Sequence, residues 1–287
     1  MTSPKTFTTV SLDATVRANR PVSSGLLRLD LTLPEARPRD LKLGFLPGQF
    51  AMLNLTGPGT LVFSRPFSIL DWQDDVVSFL YRVVGRGTAA MADLQEGQSM
   101  NLLGPLGHPF PTLGDYQAAV LIGGGVGLPP VASWLARHGR PQDRAYFGGR
   151  DGADVPWQEL QGNWQVSVDE GENLPDEQAA FVGRVTELVA QDAALDGSFE
   201  RVILACGPVP MLKAASTLAS RMGWQCLVSL EEHMGCGYGA CKGCVVPVVA
   251  DGPEGWRNAT CCQDGPVFSA QEVLWDRYAA NPFATVD

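Results

Sequence analysis

The chain has 287 residues, 45% of them hydrophobic and 18% charged, which is enough to bury cores in two domains with room for a small third. A net charge of −10 gains nothing from counterion release on nucleic acid or from an anionic membrane surface, so no nucleic-acid and no membrane partner is expected. Met1-Thr2-Ser3-Pro4-Lys5 has no apolar run behind a basic start, and the most apolar stretch, 118–131, is broken by four glycines and two prolines; no signal peptide or membrane span is read, and a cytoplasmic location is expected.

Residues 1–112 read as an all-β domain. Short β-branched or alternating runs recur at 8–12, 26–33, 49–55, 76–84 and 99–103, separated by Pro-Gly, Gly-Pro and Asp-Asp punctuation, a spacing that suggests a barrel or sandwich. Within it, Arg65-Pro66-Phe67-Ser68 reads as the end of a β-run. Tyr81-Arg82 closes another, and Gly85-Arg86-Gly87-Thr88 opens a helix-like stretch, 89–94. Arginines suit a pyrophosphate, and the amides of Gly87 and Thr88 at a helix start suit its charge. Ser68 could hydrogen-bond the edge of a flavin ring and Tyr81 could pack on it.

From about residue 113 the pattern alternates between buried strands (118–122, 144–147, 164–168, 201–205, 225–230) and helical segments (131–138, 183–190, 210–222), as in a parallel α/β domain. The first strand runs directly into Gly123-Gly124-Gly125-Val126-Gly127-Leu128-Pro129-Pro130 and then a helix. That context makes a glycine-rich turn a credible dinucleotide site, because the backbone can approach a pyrophosphate at the helix N-terminus. Cys206-Gly207-Pro208-Val209-Pro210-Met211 follows a later strand. Asp151 or Asp154, after the strand ending near Phe147, would disfavour a 2′-phosphate by like charge.

Residues 231–287 form a third segment, rich in cysteine and glycine, with a short tail helix expected within 269–278 that places Trp275 and Tyr278 on one face. Five of the seven cysteines lie between 236 and 262, and a reduced compartment favours a metal site over disulfides. Cys236-x4-Cys241-x2-Cys244 followed by a distant cysteine is the plant-type [2Fe-2S] spacing, with glycines letting a loop wrap the cluster. A structural zinc site usually pairs two C-x2-C knuckles instead. Cys261 and Cys262 both compete for the fourth position. Cys206 and Cys226 read as buried small hydrophobes, His233 as a surface or hydrogen-bonding residue, and His108 as structural.

In this order the motifs resemble the ferredoxin–NADP reductase superfamily. Arg65-Pro66-Phe67-Ser68, Leu80-Tyr81-Arg82 and Gly87-Thr88 match its FAD contacts; the glycine turn with Gly123, Gly124, Gly125 and Gly127, and Cys206-Gly207-Pro208, match its nicotinamide contacts. The compact cysteine segment, Glu231-Glu232-His233-Met234-Gly235-Cys236 onward with Cys262-Gln263-Asp264-Gly265-Pro266-Val267-Phe268, looks like the electron-transfer subunit of class B dihydroorotate dehydrogenase. The resemblance implies a FAD-binding β-barrel (1–112), a parallel-sheet NAD-binding domain (113–230) and a [2Fe-2S] segment with tail (231–287). It implies Cys236, Cys241, Cys244 and Cys262 as cluster ligands. It further implies an FMN-containing catalytic partner, two copies of each subunit, dihydroorotate oxidation to orotate, and FAD standing between a two-electron hydride carrier and a one-electron cluster. The chain departs from the family pattern at Asp169-Glu170-Gly171-Glu172-Asn173, where an Asp-Gly-Ser segment is usual before the Gly183-Arg184-Val185-Thr186 element. The competing readings are a similar subunit of another complex, of sulfhydrogenase or NADPH–ferredoxin type, and a non-redox, zinc-stabilised interaction protein.

Overall fold

A computed structural model describes residues 7–35, 43–55, 64–176, 178–195 and 197–279; residues 1–6, on which no signal peptide is read, lie outside them. Strands β1 (Val10–Pro21), β2 (Leu27–Thr32), β3 (Phe50–Leu55), β4 (Arg65–Gln73), β5 (Val76–Tyr81) and β6 (Ser99–Leu106) close an antiparallel barrel in the order β1-β2-β5-β4-β3-β6. Alternation sends Ala14, Val16, Leu29, Leu31, Ala51, Leu53, Val77, Phe79 and Leu102 inward to one apolar core. Two expectations need correction here. The first run continues far past residue 12, through the polar Arg17, Asn19 and Arg20, with a register shift between Val16 and Ala18. Arg65 opens a strand rather than ending one, because its residues pair with β3 before Ile69–Gln73 continues along β5. Helix α1 (Arg86–Ala92) follows β5.

The second unit contains β7 (Gln117–Gly124), α2 (Leu128–His138), β8 (Arg144–Gly149), β9 (Trp164–Val168), β10 (Phe181–Val182), α3 (Val185–Gln191), β11 (Glu200–Cys206), α4 (Val209–Met222) and β12 (Gln225–Ser229). The strands form a parallel sheet in the order β10-β9-β8-β7-β11-β12. Central strand β7 is buried on both faces, which is why it reads as a continuous apolar run. Val120 and Ile122 pack towards α3 and α4, and Ala119 and Leu121 towards α2. Each such fully buried branched side chain contributes about 1.5–3 kcal/mol. From β7 the chain builds outward to β8 on one side and later returns to β11 on the other. The crevice for a ligand in such a sheet lies at this reversal, beyond the carboxyl ends of β7 and β11.

The last segment does not stand apart. After the hairpin β13 (Val245–Val249) and β14 (Trp256–Thr260), strand β15 (Val267–Ser269) adds antiparallel to β12 and extends the sheet to seven strands. It also touches the barrel: the His108 N–H donates to the Gly265 carbonyl at 2.7 Å, and the His108 ring lies 3.2 Å from the Asp264 carbonyl, so His108 is a structural tie. The expected tail helix is shorter than 269–278, because Ser269 completes β15 and only α5 (Trp275–Ala279) is helical. Trp275 and Tyr278 do meet edge to face at 6.3 Å, and the fully buried Tyr278 hydroxyl donates to the Glu231 carbonyl at 2.9 Å. Barrel and sheet are joined by ion pairs from Arg28 (2.7 Å) and Arg20 (3.1 Å) to the buried carboxylate of Glu159. Among the described residues no helix is long and apolar enough to cross a membrane.

Candidate cofactor-binding sites

The cysteine loop follows β12 and enters β13. Its four candidate sulfurs fall into two pairs. The Cys241 N–H donates to Cys236 Sγ at 3.4 Å, and the two thiols interact directly. Cys244 Sγ lies 3.2 Å from Cys262 Sγ, which the β13–β14 hairpin brings back from eighteen residues away; the Cys262 N–H donates to Cys244 Sγ at 3.4 Å. Two thiols for each of two irons is the donor set that a [2Fe-2S] cluster uses, so the residues fit the group. Among the described residues no three His, Cys, Asp or Glu side chains converge as a site for one metal ion would require. Cys261 points the other way: its buried thiol donates to the Leu230 carbonyl at 3.4 Å. Burial opposes ionisation of Cys236, but N–H donors of Cys241, Tyr238 and Ala240 outweigh it and bring the thiol down to about 6. Burial, with Cys244 alongside, pushes Cys262 up to about 12. Behind the loop, burial raises Glu231 and Glu232 to about 7. Strand and loop patterning gave no sign of these two buried carboxyls.

At the barrel, Arg65 on β4 and Gly87 in α1 meet. A Cβ on residue 87 would strike the Arg65 guanidinium, so glycine leaves that group lying against backbone amides. A guanidinium over amides is an anion cradle suited to a pyrophosphate, and the residues fit FAD in this respect. Thr88 serves its own helix start, its hydroxyl accepting from the Val84 and Gly85 N–H groups at 2.9 and 3.1 Å. Pro66 and Ser68 lie on the outer barrel face, opposite Met52 and Phe50, while Phe67 turns inward. The expectation that the Tyr81 ring packs on a flavin is corrected. Strand alternation drives it into the barrel, 1% exposed, with its hydroxyl 2.9 Å from Asn19 Oδ1. Leu80 faces the opposite way, buried against Leu121 and Leu128 of the sheet domain.

Arg82 is placed differently from a simple flavin contact. Its guanidinium pairs with Asp154 at 3.1 Å across the junction between barrel and sheet, and reaches the glycine turn at Gly125. The Asp154 carboxylate is thereby engaged by Arg82. Asp151 remains at the end of β8, held below the usual carboxylate range by the Asn173 side chain, which donates to it at 3.0 Å.

The two nicotinamide elements come together at the topological reversal. A Cβ on Gly127 would occupy the position of the Cys206 carbonyl, and one on Gly124 would lie 2.7 Å from Met211 Sδ and 3.2 Å from Pro208. Gly207 has φ +155 and backs onto Gly124. Gly123 is in register with Cys206 on neighbouring strands, and Gly125, at φ +54, turns the chain towards α2. The Cys206 thiol is fully buried, and burial raises it well above its ordinary value, so the backbone is what this residue presents to the turn. Two interlocked glycine turns thus meet at the carboxyl ends of β7 and β11, the place where such a sheet takes a dinucleotide, and in this respect the residues fit NAD.

A family model described as the iron-sulfur cluster binding domain of dihydroorotate dehydrogenase B matches residues 231–274. The electron transfer subunit of dihydroorotate dehydrogenase B (NAD(+)) from Caldanaerobacter subterraneus is 31% identical over 264 residues, spanning 92% of this chain and 98% of that one. The chain belongs to this family. The corresponding subunit from Bacillus caldolyticus is 36% identical over 240 residues, 79% of this chain and 86% of that one. The structure of an NADH-dependent reduced ferredoxin-NADP oxidoreductase superposes with a TM-score of 0.72 over 96% of this chain and 92% of that one; at 23% identity it shows the shared fold. As a family member this chain is an electron-transfer oxidoreductase subunit whose cofactors are FAD, a [2Fe-2S] cluster and NAD.

Proposed function

We propose that the chain connects NAD to an FMN-containing catalytic subunit that oxidises dihydroorotate to orotate, in an assembly of two copies of each. The reading rests above all on the 31% identity that runs through nearly all of both chains. Its working parts are a barrel at 1–112, a nicotinamide domain at 113–230 and a cluster segment at 231–287. When bound, FAD exchanges a hydride with the nicotinamide and single electrons with the cluster.

The residues then have separable tasks. Cys236, Cys241, Cys244 and Cys262 hold the cluster. Arg65 neutralises the FAD pyrophosphate together with the amides around Gly87 and Thr88, and Pro66, Phe67 and Ser68 shape the strand on which the flavin lies. Leu80 and Tyr81 fix the neighbouring strand from their two buried faces, and Arg82 closes the junction with Asp154. Gly123, Gly124, Gly125, Gly127, Cys206, Gly207 and Pro208 give the dinucleotide its backbone platform. Asp151 disfavours a 2′-phosphate by like charge. No side chain is required as a general acid or base.

Reconstitution tests the proposal. Mixed with an FMN-containing dihydroorotate-oxidising subunit, the purified chain yields NADH and orotate from dihydroorotate and NAD, and neither subunit alone does so. Failure of orotate-coupled NADH formation in a mixture whose flavins and cluster are intact would point to a different partner complex.

A further inference from the structure

The cluster loop touches the barrel at Gly237. Gly237, next to Cys236, has φ +81, and a Cβ there would come within 2.8 Å of Met52 Sδ and 3.3 Å of Leu106 Cδ1. Glycine is therefore needed twice over, for the left-handed backbone and for the close approach. Met52 is 1% exposed and lies in the middle of β3. Its neighbours Ala51 and Leu53 point into the barrel core, whereas Met52 and Phe50 join the apolar cluster that contains Cys244, Cys262 and Val246. Met52 thus belongs to the barrel by its backbone and to the cluster segment by its side chain.

The same residue neighbours the flavin strand. Met52 is directly opposite Pro66, and Phe50 opposite Ser68, in the antiparallel β3–β4 pair. Opposed residues share a face, with Cβ atoms about 4.5–5.5 Å apart. Pro66 and Ser68 therefore line the outer barrel face beside Met52, whose side chain ends on the cluster loop.

We infer that Met52 is the positioning residue for electron exchange between flavin and cluster: its side chain is the spacer that sets their separation. The inference rests on the reading that FAD lies on the Arg65–Ser68 strand. With both cofactors bound, Met52 would set the path for one electron at a time from hydride-reduced flavin to the oxidised cluster, the flavin proton leaving to water; the second electron of the hydride would follow once the FMN-containing partner subunit has taken the first from the cluster. A thioether chain suits a spacer, because it is unbranched and fills an irregular gap between a strand and a loop. Leucine conserves most of its volume, while alanine leaves a void on which the loop can settle at a different depth.

The test uses the full chain carrying FAD and cluster, mixed anaerobically with NADH. Stopped-flow absorbance follows the flavin, and rapid-freeze EPR follows the reduced cluster. In Met52→Ala the flavin bleaches at the wild-type rate and the cluster signal grows in severalfold more slowly, with its g-values unchanged; Met52→Leu restores the rate. If Met52→Ala does not load both cofactors, Met52→Val, which shortens the side chain without emptying the site, takes its place. Cluster reduction at the wild-type rate in the shortened variant overturns the inference, as does a changed signal shape in both the shortened and the leucine variants, which would make Met52 a mere anchor for the thiolates. Arg65→Ala and Ser68→Ala are run beside them. If these keep FAD at wild-type occupancy, it is the flavin-site reading that fails, whatever the Met52 variants show.

Discussion

Cys262→Ala abolishes the rhombic EPR signal of the reduced cluster and the visible absorption of the oxidised one, whereas Cys261→Ala keeps both. The two residues are adjacent in sequence but the hairpin turns their thiols to opposite sides. Cys262 Sγ lies 3.2 Å from Cys244 Sγ, and Cys261 donates its thiol to Leu230 inside the core. Losing one of four thiolates leaves one iron with three donors, and the loop has no other cysteine facing it. Cys261→Ala removes only a buried sulfur and one weak hydrogen bond, a cost of about 1–2 kcal/mol visible as a lower urea midpoint. Iron and sulfide analysis beside EPR measures both outcomes. A cluster surviving in Cys262→Ala and lost in Cys261→Ala would reverse the assignment.

The second large effect is expected at Gly127. In Gly127→Ala the new methyl group must occupy the position of the Cys206 carbonyl, and backbone at the end of a central strand cannot move aside as a flexible side chain could. The turns after β7 and β11 are forced apart, at a cost of about 1–3 kcal/mol in stability. The dinucleotide platform opens with them, so NADH reduces the bound flavin at least about tenfold less effectively, the equivalent of about 1.4 kcal/mol. FAD content stays at the wild-type level, because the barrel strands and the Arg65–Gly87 contact are elsewhere. Gly197→Ala is the matched control: its Cβ meets nothing within 4 Å, and both stability and flavin reduction stay unchanged. Equal behaviour of the two variants would remove Gly127 from the site.

The sequence carried the architecture wherever a local pattern had one physical cause. The β7 run of Ala118–Ile122 is legible because a parallel strand covered on both faces must be apolar throughout. The cysteine spacing is legible because a cluster needs a wrapped loop. What stayed hidden depends on partners remote in the chain. Asp154 reads from its loop as one of two charges that would disfavour a 2′-phosphate, yet Arg82, seventy-two residues earlier, takes its carboxylate. Tyr81 reads as a flavin contact by motif, yet the period of two along β5 puts it in the barrel beside Phe79 and Val77. Arg65-Pro66-Phe67-Ser68 reads as the end of a β-run, but Arg65 opens β4 and Pro66 is its second residue, near a strand start where the ladder tolerates proline. Strand β15 is too short to announce itself, and only the docking of the cluster segment against β12 shows that it completes the sheet.

The most direct test of electron passage through this chain is anaerobic titration of the purified full chain with NADH, followed by absorbance and EPR together. The account predicts one FAD and one [2Fe-2S] cluster per chain, flavin bleaching on NADH addition, and a rhombic signal from the reduced cluster that appears after it. A colourless protein holding zinc, or flavin that NADH reduces while a fully assembled cluster of suitable potential stays oxidised, would contradict it.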